Sequence, residues 1–306
     1  MVLTLLYNIF PLYIIIALGF IAGKKLPVSL ESTASLAIFV LTPVVLFGAI
    51  TKTDFQAQYL ALPFIVLGMG CLIGFTAYKL AKKRFDDVTP NLLGMGCGTG
   101  NTGYFGLPVL LAIFGESLAG VYLLMNFGIV LFENTLGYFL GARGHAEPKD
   151  ALKKVMRLPA VHATWLGILF SLMQVNDTRP MIIFYIYWEY FYGAWIVIGM
   201  MLIGIALSKV KGFRVNPELL GWFFGFKFVV WPLAMFALIS LDRSLLGLFD
   251  ETTHALFMLL SAAPLASNIV AFAAHLNLRP SEAAAAVLLS TIFALFFIPF
   301  LMGYFM

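Results

Sequence analysis

Charge is what this chain has least of. Only 11% of its 306 residues are Asp, Glu, Lys or Arg, while 61% are hydrophobic. A soluble domain is about a quarter charged and about half apolar, so a soluble fold of this length could not hide so much apolar surface. Cysteine is scarce too. Cys71 and Cys97 are the two, both inside apolar runs, which excludes a disulfide framework and suits small buried packing residues. The four histidines, His145, His162, His254 and His275, share no helix face at metal-ligand spacing, so neither a metal site nor a cofactor is expected. No Gly-rich phosphate loop ending in Lys-Ser/Thr is present, which counts against direct drive by ATP. No nucleophile–base pair lies at membrane depth, so the chain does not read as an enzyme. A basic stretch ahead of the first apolar run is also missing. Lys24 and Lys25 follow that run, the reverse of the order in a cleavable signal, so it reads as a retained first span.

What is present is a series of apolar runs about 20 residues long, enough to cross a bilayer core. Ten spans are expected, at 2–22, 32–50, 58–80, 91–115, 118–141, 158–175, 182–207, 218–240, 252–275 and 282–303. The strongly charged stretches 81–90 and 142–157 are too short to be domains. Lys and Arg test this division. Fifteen fall in odd-numbered loops, and only Lys52, Arg179 and Arg243 in even-numbered ones, with Lys227 inside a span. The positive-inside rule then places odd loops in the cytoplasm and both termini outside, in the plasma (inner) membrane. The run "KKVMR" at 153–157 fits an anchor against acidic lipid. The net charge of +4 is thereby a topology signal, and no nucleic-acid partner is implied.

Ten spans divide into two groups of five, 1–141 and 158–306, joined by a cytoplasmic linker at 142–157. An odd number per group makes any repeat an inverted one, an arrangement common among secondary transporters. Span one has Pro11 eight residues before Gly19, and span six has Pro159 eight residues before Gly167. The fourth span of each group is interrupted. Span four reads "NLLGMGCGTGNTGYFGLPVLLAIFG", with Pro108 after a cluster of glycines, and span nine reads "HALFMLLSAAPLASNIVAFAAHLN", with Pro264 in the breaking role. Helix is expected up to about Thr99, unwound chain over Asn101–Phe105, and a second half-helix from near Gly106.

Gly98, Gly100 and Gly103 match the dinucleotide fingerprint G-x-G-x-x-G. That fingerprint has meaning only between a strand and a helix, and here no strand precedes it. Unwound backbone at membrane depth is tolerated where it is buried in protein or lines a watery cavity. Half-helix N-termini offer free N–H groups and partial positive charge to an anion. Asn101, Thr102, Ser267 and Asn268 add neutral hydrogen-bonding groups at that depth. Close helix packing by small residues would explain the glycines. It would not explain paired prolines that each lie near an asparagine.

At these residues the chain resembles the bacterial branch of the auxin efflux carrier family, related to the bile acid and arsenite transporters. "GNTGYFGLPVLLAIFGE" is similar to that family's fourth-helix signature, "APLASNIVAFA" to its ninth-helix counterpart and "PLYIIIALGFIAGK" to its first helix. The resemblance implies an all-α integral membrane fold of ten transmembrane helices in a five-plus-five inverted repeat. Its broken fourth and ninth helices would cross at a substrate site built from Asn101, Thr102, Gly103, Tyr104, Pro108, Pro264, Ser267 and Asn268. It also implies a transport domain (spans 3–5 and 8–10) moving against a dimerising scaffold (spans 1, 2, 6 and 7), and a small organic anion, a carboxylate or an indole acid, as substrate. The long cytoplasmic loop of the plant carriers is absent.

Two ionisable residues lie deep within spans. Glu133 is roughly 12 Å from the inner end of span five and Lys227 roughly 15 Å into span eight, at helical rise. Such residues are functional hypotheses by default. Glu133, with Asn134 and Thr135 nearby, is a candidate carrier of a coupling proton; sodium coupling remains open, as does a structural Glu133–Lys227 ion pair. Glu189, in "FYIYWEYFYGAW", reads as solvated within an aromatic belt at the membrane interface. The expected function is a secondary transporter of a small organic anion. The rival is a channel using the same broken helices.

Overall fold

An apolar run in a bilayer must satisfy its own backbone, and helix is the way a single segment does so. The computed structural model describes residues 2–142, 156–209 and 214–305, and among these every regular element is helical. We number the helices α1 (Val2–Lys25), α2 (Leu30–Lys52), α3 (Ala57–Ala81), α4 (Thr89–Cys97), α5 (Leu107–Phe114), α6 (Glu116–Gly141), α7 (Pro159–Leu172), α8 (Arg179–Ser208), α9 (Pro217–Leu246), α10 (Glu251–Ala262), α11 (Asn268–His275) and α12 (Pro280–Phe305). Seven of them, α1, α2, α3, α6, α8, α9 and α12, are long and apolar enough to cross a membrane, and α7 is a shorter apolar helix. Phe10, Leu72, Phe236, Phe296 and Phe300 stand exposed on their outer faces, as lipid-facing side chains do.

Local chemistry sets the helix ends. The Asn216 side chain accepts from the backbone N–H groups of Glu218 and Leu219, with Pro217 in the first turn. Asp250 caps α10 through the Thr253 N–H at 2.8 Å. Two pairings join the first two helices to the middle of the chain. Helix α1 lies along α8, where Gly204 meets the Ile16 carbonyl and the Phe20 amide, and α7 lies along α2, where Gly167 meets Phe47 and Ile50. Bare glycine lets each pair approach to backbone contact.

The two expected interruptions are present, and the first has a different register. Helix α4 stops at Cys97, residues 98–101 are non-helical, and a π-helical turn at Thr102–Gly106 leads into α5. The unwound chain is thus 98–101 and not 101–105. Pro108 does not mark the break; it sits buried in the first turn of α5, where its missing N–H costs nothing. In the second break α10 ends at Ala262, residues 263–266 are non-helical and α11 begins at Asn268.

Candidate substrate cavity at two helix breaks

The two breaks touch. The Asn101 N–H donates to the Pro264 carbonyl at 2.8 Å, so one unwound segment satisfies a donor of the other. Around this contact the helix ends find side-chain partners. Trp231 Nε1 of α9 donates to the Cys97 carbonyl at the end of α4, at 2.7 Å. The Leu265 N–H reaches Ser290 Oγ of α12 at 3.2 Å. Groups left free at helix ends must be paired when buried, and α9 and α12 supply those partners.

A cavity of about 760 Å³ ends at this crossing. Asn101, Gly103, Tyr104, Ser267 and Asn268 line it, as do Glu133 and Asn134 of α6. Thr102 is fully buried behind it, its hydroxyl donating to Asn126 Oδ1 at 2.7 Å. Pro108 and Pro264 are not among the lining residues. The opposite wall comes from α2 and α8, where Trp195 Nε1 donates to Thr42 Oγ1 at 2.8 Å and the Trp195 ring lies 5.4 Å from that of Tyr104. The mouth is lined by Leu30 and Glu31 at the start of α2, Pro159 at the start of α7 and His275 at the end of α11. No lysine or arginine among the described residues lines the cavity.

Glu133 opens a π-helical turn (Glu133–Gly137), a distortion often found at functional positions. It accepts from Thr99 Oγ1 at 2.6 Å and from Asn268 Nδ2 at 3.3 Å, bridging the first break to the start of α11. Lys227 lies in another π-helical turn, Phe226–Val230, fully buried, and is not among the lining residues. Among the described ion pairs none joins Glu133 to Lys227. Asn134 and Thr135 bond back to carbonyls of their own helix, Val130 and Leu131.

The other polar candidates lie elsewhere. Glu189 is exposed on α8. His162 contacts the Met156 carbonyl at 2.9 Å, and His254 pairs with Asp242 at 2.8 Å within a buried corner of α9 and α10. His145 lies outside the described residues. No group of three potential metal ligands occurs among the described residues. Asn126 and Thr99 were not expected as site residues. Asn126 does carry a signal, a lone amide seven residues before Glu133 and so on the same helix face.

Residues 4–147, which include the first break and Glu133, match the family described as membrane transport protein. The first half of the chain thus carries the signature of that family. This bears out the resemblance carried by "GNTGYFGLPVLLAIFGE". The transporter is 28% identical over 216 residues to an uncharacterized transporter of Methanocaldococcus jannaschii, covering 68% of this chain and 69% of that one. It is 28% identical over 166 residues to an uncharacterized transporter of Methanothermobacter thermautotrophicus, covering 52% and 55%. Both relatives are archaeal, so the match does not single out a bacterial branch. It is a multi-pass membrane protein of a transport family.

Proposed function

We propose that this transporter is a secondary carrier of a small organic anion, which binds where the two broken helices cross. The observation that carries the reading is the cavity ending at the Asn101–Pro264 contact. Its floor offers side-chain amides and hydroxyls beside the turn leading into α5 and the start of α11, where the helix dipole favours negative charge. Glu133 borders the same floor. Two carboxylates in contact share a proton, because both cannot stay ionised together. A substrate carboxylate arriving beside Glu133 therefore brings a proton with it, which makes proton symport the coupling scheme that fits.

The broken pairs α4–α5 and α10–α11 count as one crossing each, giving ten crossings in two inverted groups. Support comes from the paired contacts of α1 on α8 and α7 on α2, which a five-plus-five repeat relates to each other. In this reading α3–α6 and α9–α12 form a moving unit, while α1, α2, α7 and α8 form a scaffold that dimerises. The cavity lies along their boundary. Its mouth is at the end carrying Lys24, Lys25, Arg157 and Arg279, the cytoplasmic end by the positive-inside rule. At the other end α2 and α6 touch, with the Thr53 hydroxyl and Ala49 carbonyl against Gly120. A path open at one end and shut at the other suits a carrier caught facing inward better than a channel.

A thermal-shift screen of small carboxylates and indole acids tests the site, since a ligand of the native state raises the melting temperature. The expected ligand stabilises wild type but neither Asn101→Ala nor Asn268→Ala. A ligand that stabilises all three equally would move the site elsewhere.

A further inference from the structure

The crossing holds one buried amine that neither the cavity nor an ion pair uses. Lys227 is 0% exposed, and its Nζ has no hydrogen-bond partner among the described residues. It does not snorkel to an interface; Nζ lies 4.7 Å over the ring of Trp231, one turn further along α9. The same Trp231 is fastened to the Cys97 carbonyl, so this turn of α9 is fixed to the end of α4. A Cβ built on Gly100 would stand 2.5 Å from Nζ and 3.4 Å from the Pro264 carbonyl. The amine therefore sits against the first unwound segment at Gly100, close to where the second passes, and only glycine at position 100 leaves room for it.

Two half-helices end at this point, α4 at Cys97 and α10 at Ala262. A helix C-terminus presents free carbonyls equivalent to roughly half a negative charge. Two such ends, with unwound carbonyls between them, form the kind of place where transporters with broken helices coordinate a coupling cation. Here the Lys227 amine lies beside that place, against Gly100. The second ionisable residue is placed with the opposite sense. Glu133 lies at the start of α11, accepting from Asn268, where a helix N-terminus favours negative charge. Each buried charge thus faces helix ends of opposite polarity, which accounts for both without an ion pair between them.

We propose that Lys227 is a tethered cation. It occupies the place at the crossing that a coupling sodium ion would take, and the transporter therefore works without sodium. Lys227 is a positioning residue: it holds the two breaks against each other and does not touch the substrate. The proposal rests on reading the crossing as the carrier's centre, but its test needs no substrate.

The test is a sodium titration of the melting temperature of the purified full chain, with choline chloride holding ionic strength constant. Wild type and Lys227→Arg are expected to ignore sodium. Lys227→Ala is expected to melt several degrees lower and to regain stability, saturably, on adding sodium or ethylammonium, because the vacated place accepts a small cation. A saturable, sodium-specific rise in wild type or Lys227→Arg overturns the proposal. So does a Lys227→Ala protein that responds to neither cation, since an amine with a purely packing role would behave that way. Should Lys227→Ala not fold, the wild-type and Lys227→Arg titrations decide alone. A sodium-insensitive wild type that binds no carboxylate would sink the substrate reading and leave this one standing.

Discussion

At the residue scale the account turns on three side chains. Asn101 and Asn268 flank the contact between the breaks, and Glu133 borders it. Losing one hydrogen bond to a charged ligand costs about 1.5–3 kcal/mol, roughly ten- to a hundredfold in affinity. Asn101→Ala and Asn268→Ala should each weaken uptake by that factor at near-normal expression; initial-rate kinetics in vesicles check this. Glu133→Gln keeps the shape and much of the hydrogen bonding but carries no proton. It should preserve substrate exchange while losing uptake driven by a pH gradient. A Gln variant that still concentrates substrate like wild type would make Glu133 structural. Wild type that ignores the gradient would dismiss proton coupling altogether. Asn101, Asn268 and Glu133 were legible in the sequence because a polar group inside an apolar span has few bland explanations. Thr99 and Asn126 were not, because their roles depend on which neighbour each hydroxyl or amide meets, and that is decided by tertiary contact.

At the element scale both breaks were legible in outline, and the first was wrong in register. Glycine density and proline pointed to an interruption in 91–115, but neither says which residue leaves the helix. The structure unwinds 98–101 and places Pro108 in a helix start, because a first-turn proline sacrifices no hydrogen bond. Gly98 shows why this segment is glycine-rich. A Cβ there would lie 2.6 Å from the Gly70 carbonyl and inside the ring of Phe132. Gly98→Ala should therefore cost about 1–3 kcal/mol by overpacking, read as a lower melting temperature. Gly221→Ala, where a Cβ meets nothing within 4 Å, should leave it unchanged or slightly raised. The loop between α3 and α4 makes a second test. Burial alone would raise the Asp87 carboxyl, but hydrogen bonds from Thr89 and the Arg279 partner outweigh it and hold the group below its ordinary range. A carboxyl lowered on folding stabilises above its unfolded value and loses that contribution as pH falls through its folded one. The melting temperature of wild type should therefore drop below about pH 4, the model carboxylate value, by more than that of Asp87→Asn.

At the scale of the whole molecule, charge counting and hydropathy were the informative signals. Composition excluded a soluble fold, and among the described residues seven helices are long and apolar enough to cross a membrane. Among the described residues, α4–α5 and α10–α11 fall below the length of a regular span because each is interrupted, and α7 because it is short. What no sequence pattern announced is the asymmetry of the path. The cavity opens beside Leu30 and Pro159, while Gly120 closes against Thr53 at the far end of α2 and α6. In the carrier reading solute passes only if the closed end opens and the open end shuts, which is what separates a carrier from a pore. Counterflow in proteoliposomes tests this most directly. Vesicles are preloaded with an unlabelled carboxylate selected by the thermal-shift screen and diluted into a trace of the labelled form. The account predicts that label rises transiently above its equilibrium level, because each returning site is more often filled by label than by the diluted pool. A label that climbs monotonically to equilibrium would mean a continuous pore, and would contradict a carrier built on crossing broken helices.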